Sequence, residues 1–366
     1  MATTRNILLY PVALIYGLIT GFRNFLYNFN IFSSTEFPIP VICVGNITVG
    51  GTGKTPHTEY LVDLLRKNFK VATLSRGYKR VTSDFRIASL SSGVTEIGDE
   101  PMQIFRKFPD ILVTVDRKRV NGVRKIMDIS PETQVIILDD GFQHRSITPG
   151  FSIVLSDFDR PFMRDYMLPY GNLRENKSNI RRADIILITK CPEGLNAIQR
   201  RLFVKETGKA AWQKLYFTSL SYRAPLSVFG NQKQDPDFFD LTKNAGSSIV
   251  LLTGIANPAP FKEYLHKFFS EIFELTYPDH YSYREKDIEE IAAVFNEIKA
   301  SSKFIMTTEK DAVRLREFPD IEEPVKSAMF YVPVGITFLN DDKDEFDNLI
   351  LDYVRKNKQN IRISQR

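Results

Sequence analysis

Cysteine, histidine and tryptophan are scarce in this chain. Its 366 residues include two cysteines, one tryptophan and four histidines. Cys43 and Cys191 cannot form a disulfide framework and lie in no CxxC motif, so we expect a reducing compartment. The histidines show no spacing typical of a zinc site. Disulfide-stabilised secreted domains and zinc domains are therefore excluded.

Acidic residues are absent from the N-terminal region, where a long apolar run lies. No acidic residue precedes Glu36, and residues 7–22 are nearly all apolar, with Arg5 and Arg23 on either side. A spanning helix needs about 20 residues, so this run favours a helix lying in a membrane interface with its basic flanks near anionic headgroups. A buried core helix, a secretory signal and a full membrane span remain alternatives. The C-terminal stretch 355–362 is again basic.

Internal repeats and low-complexity tracts are also absent. Hydrophobic residues make up 43% and charged residues 25% of the chain, and the net charge is +5. These values exclude collagen-like, coiled-coil and wholly disordered chains, and the length suggests about two domains. Apolar segments alternate with helical ones and predict an α/β fold with a mostly parallel sheet. The predicted strands lie near 40–45, 70–75, 111–115, 134–139, 151–156 and 184–189.

The second half of the chain predicts a smaller α/β unit. Strand-like segments at 216–227 and 328–338 lie at its two ends, and the stretch 230–246 is polar and rich in turn residues. A capping box of Ser282 and Glu285 is expected to open one of its helices. The other predicted elements are strands at 248–253 and 303–307 and helices near 257–270 and 284–299.

A glycine-rich loop follows the first predicted strand and precedes a predicted helix at 57–69. Strand, loop, Lys-Thr and helix form the context that a P-loop requires, because glycines let backbone N–H groups cradle phosphates. Lys54 would reach the β- and γ-phosphates, and the Thr55 hydroxyl would hold Mg²⁺. Thr48 stands where the usual motif begins with glycine. The predicted nucleotide-binding residues are Thr48, Val49, Gly50, Gly51, Thr52, Gly53, Lys54 and Thr55.

Two carboxylates end another predicted strand. Asp139 and Asp140 close the apolar segment 134–140, and the carboxyl end of a parallel strand lies beside the phosphate loop. They are predicted to position Mg²⁺. The strand at 184–189 ends in Thr189-Lys190, which resembles part of a guanine-reading motif. That motif's aspartate is replaced by Pro192, so adenine is favoured.

Seven short motifs are spread along the chain. They are GNITVGGTGKTP at 45–56, LSRGY at 74–78, GDEP at 98–101, LDDGFQH at 138–144, PYGNLRE at 169–175, PDHY at 278–281 and TTEKDA at 307–312. Together they resemble the tetraacyldisaccharide 4′-kinase family, the lipid A 4′-kinases, over the chain as far as about residue 315. The resemblance also covers Thr48, because members of that family have a threonine at this position of the loop.

The resemblance implies a fold and an activity. The fold is a P-loop α/β core and a smaller α/β domain joined by a two-stranded linker, with an N-terminal apolar helix. The activity is transfer of the γ-phosphoryl group of ATP, with Mg²⁺, to the 4′-hydroxyl of a tetraacylated glucosamine disaccharide 1-phosphate, giving lipid IVA. The expected partners are that acceptor and the lipid surface at the cytoplasmic face of the bacterial inner membrane. A monomer without a nucleic-acid partner is expected.

The resemblance also implies residue roles. Asp99 would accept the proton of the 4′-hydroxyl, and His280 would meet Asp99 across the cleft between the domains. Lys54 and Arg174 would stabilise charge on the transferring group, and Glu100 would help with metal or substrate. The remaining positions near the acceptor are Asn46, Gln143, His144, Arg174 and Glu175, of which Gln143 and His144 could also orient Asp139 and Asp140.

The expected domain boundaries are 1–30 for the membrane-contacting helix, 31–215 for the kinase core, 216–341 for the second domain with its linker strands, and 342–366 for a C-terminal helix with a basic tail. Two other functions remain open. A membrane-associated P-loop ATPase switch would share the loop and the apolar anchor but would need no base for an acceptor hydroxyl. A soluble small-molecule kinase would bury the N-terminal run in its core.

Overall fold

The computed structural model describes residues 6–230, 240–244 and 246–364, with side chains as far as residue 357. Arg5, most of the turn-rich stretch 230–246 and the end of the basic tail therefore lie outside the described residues. The described chain forms two α/β units, each built around its own sheet. This confirms the predicted fold class.

The first sheet has nine strands in the described part of the chain, and most of them run parallel. The strands in chain order are β1 (Val41–Asn46), β2 (Val71–Ser75), β3 (Arg86–Ile87), β4 (Leu112–Val115), β5 (Val135–Asp139), β6 (Phe151–Asp157), β7 (Ile185–Thr189), β8 (Lys214–Tyr222) and β14 (Val334–Phe338). Their order across the sheet is β14-β8-β7-β6-β1-β5-β2-β4-β3. The two edge strands, β14 and β3, pair antiparallel with their neighbours, and the inner pairs are parallel.

Both faces of this sheet are buried, which explains its continuous apolar strands. Along β1, Ile42 and Val44 join one apolar cluster, whereas Val41 and Cys43 join another on the opposite face. The covering helices are α2 (Lys54–Arg66), α3 (Val94–Ile97), α4 (Asp99–Lys107), α5 (Arg119–Ile129), α6 (Ala197–Thr207) and α10 (Lys343–Ser364). Each sequence-predicted strand of the first half has a counterpart in this sheet.

The second sheet has five strands among the described residues. They are β9 (Leu226–Ser227), β10 (Ser248–Thr253), β11 (Glu271–Thr276), β12 (Lys303–Thr308) and β13 (Met329–Val332), in the order β11-β10-β12-β13-β9. Helices α7 (Ala259–Leu265), α8 (Glu285–Glu297) and α9 (Glu309–Leu315) complete this unit. Two chain passages connect the sheets: β8 continues into β9, and β13 continues into β14, with antiparallel pairing in both sheets. This is the predicted two-stranded linker.

The N-terminal apolar segment forms a surface helix and not a core helix. Helix α1 (Tyr10–Asn28) follows a short 3₁₀ turn at Ile7–Leu9. Its buried residues are Ala13 and Asn24, whereas Leu18 is 74% exposed and Phe22 64% exposed. Among the described residues, one helical stretch, Ile7–Asn28, is long and apolar enough to cross a membrane. The core-helix alternative is therefore wrong.

Some local predictions differ from the structure. The alternating polar stretch 76–97 predicts a hairpin lid over the nucleotide, but in the structure it forms turns around the two-residue edge strand β3 and the short helix α3, so this prediction of a hairpin is wrong. Helix α8 begins at Glu285, and its N-terminus is capped through Arg284 and Asp287 in place of the predicted capping box of Ser282 and Glu285. Asp287 takes the N3 role because its side chain accepts from the Arg284 backbone N–H at 2.8 Å.

Candidate active site

The phosphate-binding loop connects β1 to α2 in the predicted position. Gly50 and Gly53 have φ angles of 99° and 83°, a left-handed conformation that a side chain would strain. The loop is held from within by Asn46, whose amide nitrogen donates to the Thr52 hydroxyl at 2.9 Å. Lys54 begins α2, so its side chain and the first backbone N–H groups of the helix lie at the end of the loop. This arrangement favours an anionic ligand.

Strand β7 supports the loop from the other side. The Thr189 hydroxyl donates to the Thr52 carbonyl oxygen at 2.9 Å, and the Lys190 ammonium donates to the Gly51 carbonyl oxygen. Lys190 also pairs with Asp157 at 2.8 Å. The Thr-Lys pair, which resembled a base-reading motif in the sequence, therefore holds the loop backbone in place.

The two carboxylates at the end of β5 lie beside the loop because β5 pairs with β1. Asp139 is opposite Val44 in that pairing and accepts a hydrogen bond from the Thr58 hydroxyl at 3.1 Å. Asp140 has a φ of 51°, which turns its side chain away from the strand direction. Its carboxylate pairs with Lys54 at 3.7 Å and with Arg174 at 3.5 Å. The structure thus brings together four residues that the sequence assigned to phosphate and metal.

The carboxylates also fit a divalent cation. Burial and the neighbouring Asp140 raise the pKa of Asp139 to about 6. A nearby cation would lower this pKa again, because it favours the ionised carboxylate. Within the described chain, the buried Oδ1 of Asp140 accepts no hydrogen bond. A threonine hydroxyl and two carboxylates are the oxygen ligands that Mg²⁺ prefers. Thr55, Asp139 and Asp140 therefore form a suitable donor set.

Gln143 and Glu175 join the loop after β5 to the N-terminal helix. The Gln143 amide nitrogen donates to the Asn46 carbonyl oxygen and, at 3.1 Å, to the Glu175 carboxylate. Glu175 also accepts from Asn24 of α1 at 3.1 Å and from Arg182 at 2.6 Å. Because three donors converge on one buried carboxylate, Glu175 fixes α1 against the core. Its contacts are those of a structural anchor beside the site.

His144 and Arg119 add two ionisable groups near the carboxylates. Burial and the Arg119 charge lower the pKa of His144 to about 4, so this imidazole is neutral at pH 7. Arg119 is 2% exposed and donates to the Asp116 carbonyl oxygen at 2.9 Å. Its Nε makes no hydrogen bond in the described part of the chain. Burial lowers the pKa of Arg119 to about 10, although the nearby Asp140 charge acts in the opposite direction. Sequence reasoning missed Arg119.

The second domain brings a histidine to the first turn of α4. His280 Nδ1 lies 2.7 Å from Asp99 Oδ2, although the two residues are 181 positions apart in the sequence. His280 has a φ of 58°, an uncommon conformation for a residue with a side chain. Its ring also contacts Tyr78 edge-on at 5.2 Å. The predicted meeting of Asp99 and His280 across the two domains is present.

Two cations that sequence reasoning missed complete this cluster. Arg314 donates from Nε to Asp99 Oδ1 at 2.9 Å and from Nη2 to Asp99 Oδ2. Lys310 Nζ lies 3.0 Å from His280 Nε2 and 3.5 Å from Glu100. Lys310 lies inside the TTEKDA motif and Arg314 two residues beyond it, and their signal in the sequence is the spacing of four on one short helix. Burial would raise the pKa of Asp99, but hydrogen bonds from His280 and Arg314 outweigh it and hold this pKa well below its usual value.

The cations also bear on metal binding. The donor atoms of Asp99, Glu100 and His280 lie within 4.8 Å of one another, close enough to hold an ion. Arg314 and Lys310 already contact these same atoms, so a metal ion there would have to displace both. Glu100, which the resemblance implied for metal or substrate, lies 3.5 Å from Lys310.

Comparison with known proteins identifies the family. The model of the family described as Tetraacyldisaccharide-1-P 4′-kinase matches residues 5–355. A tetraacyldisaccharide 4′-kinase of Bacteroides thetaiotaomicron is 42% identical over 98% of this chain and 96% of its own length. That of Phocaeicola vulgatus is 43% identical over 97% of each chain.

A solved structure agrees in fold over most of the chain. The crystal structure of LpxK from Aquifex aeolicus in complex with ATP is 27% identical, with a TM-score of 0.72 over 94% of this chain and 98% of that one. The predicted resemblance is confirmed on sequence and on structure. This chain belongs to the tetraacyldisaccharide-1-P 4′-kinase family and is a kinase.

Proposed function

We propose that the protein transfers the γ-phosphoryl group of ATP to the 4′-hydroxyl of an acylated glucosamine disaccharide 1-phosphate, giving lipid IVA for lipid A biosynthesis. Family membership supplies the reaction. The observation that carries the proposal is the pair Asp99–His280, at 2.7 Å, which joins the second domain to a P-loop core. A nucleotide switch has no need of such a pair, because no hydroxyl is activated.

The P-loop binds the nucleotide in this proposal. The end of the loop and the α2 N-terminus would offer backbone N–H groups to the phosphates, and Lys54 would contact the β- and γ-phosphates. The Val49 and Thr52 N–H groups instead donate to the carbonyl oxygens of Asn172 and Gly50, at 2.8 and 3.0 Å. Thr55, Asp139 and Asp140 would hold Mg²⁺, which neutralises charge on the phosphates when bound. The Lys54 ammonium lies 3.7 Å from the Asp140 carboxylate. When that carboxylate binds Mg²⁺, the Lys54 side chain would contact the nucleotide phosphates instead.

Asp99 orients the acceptor hydroxyl. A carboxylate with a depressed pKa is ionised at neutral pH and accepts a hydrogen bond from the 4′-hydroxyl, although it is a weak base. Phosphoryl transfer passes through a loose transition state in which the nucleophile needs orientation more than early deprotonation. The hydroxyl proton therefore leaves late, as its oxygen bonds to phosphorus, and passes to the Asp99–His280 pair. Arg174, 3.5 Å from Asp140, would neutralise charge on the transferring group.

The acceptor's acyl chains account for the exposed N-terminal helix. Helix α1 presents an apolar surface to solvent, and its Asn24 and Tyr16 side chains bond to Glu175 and to the Arg174 carbonyl oxygen beside the site. A lipid surface that covers α1 would place the disaccharide headgroup next to Arg174. We include in the proposal a peripheral or monotopic location at the cytoplasmic face of the inner membrane, where ATP is available.

One chain supplies every residue of the site, so a monomer is sufficient. The proposed units are the helix 1–30, the kinase core 31–215, the second domain 216–341, and the C-terminal helix and tail 342–366. Strand β8 begins at Lys214, so the first linker strand starts inside the core's last residues. Helix α10 packs on the core through Phe346, Ile350 and Val354.

One assay tests the function. The purified protein is incubated with ATP, Mg²⁺ and the tetraacylated disaccharide 1-phosphate, and mass spectrometry follows the glycolipid. We expect a gain of one phosphate that requires ATP. Slow ATP hydrolysis that the glycolipid does not stimulate, with no phosphorylated lipid, would contradict the proposal. That result would instead support the ATPase switch, which the family assignment does not favour.

A further inference from the structure

Helix α9 approaches α4 with its charged side chains at the domain boundary. The helix pair is antiparallel: near one end Lys107 of α4 contacts Glu309 at 3.0 Å, and at the other Arg314 contacts Asp99. Arg106 Nη1 lies 3.4 Å from the Val313 carbonyl oxygen between them. The second domain therefore reaches the catalytic carboxylate through α9 as well as through the loop that carries His280.

Arg314 is itself held in one orientation. It is 4% exposed, and its Nη1 donates to Asp311 Oδ1 at 3.3 Å. Asp311 is fully buried and accepts from the Gly254 backbone N–H at 2.9 Å and from the Thr308 hydroxyl at 2.6 Å. The guanidinium is thus fixed to the core of the second domain before it meets Asp99. A planar fork held in this way sets both the direction and the rotation of the carboxylate that it binds.

The hydrogen bonds leave the two oxygens of Asp99 unequal. Oδ2 accepts from Arg314 Nη2 and from His280 Nδ1, whereas Oδ1 accepts only from Arg314 Nε among the described residues. A carboxylate oxygen has about two lone-pair sites. Oδ1 is therefore the oxygen that can receive the acceptor hydroxyl, and Arg314 determines where it points.

Lys310 acts on His280 in the same manner. Its ammonium group has donors but no acceptor, so His280 Nε2, at 3.0 Å, must present its lone pair to it. The ring hydrogen then lies on Nδ1 and is donated to Asp99. The charged groups around this imidazole are Asp99 and Glu100 of α4, Asp279 of its own loop and Lys310 and Arg314 of α9.

We propose that Arg314 and Lys310, one helical turn apart on α9, are positioning residues: Arg314 aims the free oxygen of Asp99 at the acceptor hydroxyl, and Lys310 fixes the His280 tautomer that holds the other oxygen. The inference rests on the proposed function for its role in turnover. Neither residue touches the reacting atoms in this arrangement. Arg314 acts directly on Asp99, and Lys310 acts on Asp99 through His280.

Arg314→Gln should lower kcat about 10²-fold with little change in KM for ATP, because a misplaced reacting group costs about that much. The control is Arg106→Gln, which makes the same chemical change in the same helix pair without touching Asp99. It should keep the wild-type kcat even where the melting temperature falls. Equal losses of kcat in the two variants would show a merely structural role and overturn the proposal.

Arg314→Lys separates geometry from charge. Lysine keeps the charge but offers no planar fork. We expect it to fold like the wild type and to leave kcat reduced. Wild-type kcat in Arg314→Lys would overturn the proposal. If Arg314→Gln does not fold, the kcat of Arg314→Lys alone tests the role of Arg314.

The tautomer of His280 is measured without turnover. The ¹⁵N spectrum of protein labelled in its four histidines is assigned with His280→Gln. We expect the Nδ1–H form in the wild type and a shift towards the Nε2–H form in Lys310→Met. Identical spectra would overturn the role of Lys310. If the wild type phosphorylates no acceptor, the proposed function fails, whereas this readout still tests the arrangement on α9.

Discussion

The exposed face of α1 gives the sharpest test of membrane contact. Leu18, Ile19 and Phe22 are 74%, 64% and 64% exposed, so replacing all three with glutamine removes apolar surface without opening the core. Deleting the helix would be a poorer test. It would also remove the Tyr16 and Asn24 hydrogen bonds to residues beside the site. The triple variant should therefore keep its melting temperature and lose affinity for lipid.

The expected size of the loss follows from the exposed fractions. Full burial of a leucine, isoleucine or phenylalanine side chain stabilises by roughly 1.5–3 kcal/mol. About two thirds of each side chain remains to be buried, so a lipid surface gains about 1–2 kcal/mol from each and about 3–6 kcal/mol from the three. The triple variant should bind vesicles about 10²- to 10⁴-fold more weakly.

Flotation with vesicles of mixed neutral and anionic lipid measures this change, and the glycolipid assay measures its consequence. KM for the lipid acceptor should rise while KM for ATP stays constant. The control is Ile198→Gln with Leu202→Gln on α6, which are 71% and 52% exposed and far from α1 in sequence. If the α1 variant floats as well as the wild type, the membrane-contact hypothesis is wrong. If both variants lose binding equally, the contact is not specific to α1.

Four further predictions concern the site and its scaffold. Lys54→Ala should remove roughly 3–4 kcal/mol of transition-state stabilisation and so lower kcat, while the circular dichroism spectrum stays unchanged. Full activity in this variant would refute the P-loop assignment. Asp99→Asn should reduce kcat about 10²- to 10⁴-fold with ATP affinity kept, and combining it with His280→Ala should cost less than the sum, as steady-state kinetics would show. Gly45→Ala should lower the urea midpoint, because the new Cβ would lie 2.6 Å from Phe142 Cβ and overpacking costs about 1–3 kcal/mol. The pKa of Asp99 is depressed in the folded state, so its ionised form stabilises the fold above the unfolded pKa of about 3.9, and this stability is lost as the pH falls. Urea melts from about pH 5 to pH 3 should therefore show a smaller loss for Asp99→Asn than for the wild type.

The nucleotide half of the site could be predicted from the sequence because its parts are local. The loop follows β1 directly, and Lys54 begins the next helix, so one stretch of chain contains most of the predicted phosphate-binding groups. Asp139 and Asp140 close an apolar strand, and the pairing of β5 with β1 follows from the rule that strand ends gather at one edge of a parallel sheet. The same local reasoning placed the strands well and the turns poorly. The polar pattern of 76–97 alternates as in a strand and so predicts a hairpin. Within this described stretch, however, only Arg86 and Ile87 pair with another strand.

The acceptor half depends on contacts that no local pattern contains. Asp99 and Arg314 are 215 positions apart, and each looks ordinary alone: an acid at a helix start and an arginine near a helix end. Only the packing of α9 on α4 shows that these charges face each other. A family resemblance could supply Asp99 and His280, because both lie in recognisable motifs, but Arg314 lies two residues beyond TTEKDA and had no assigned role. Arg314 contacts both oxygens of Asp99 and is itself held by Asp311, a buried residue of the other domain. The chemistry proposed for the first domain therefore depends on the hydrogen-bonded core of the second.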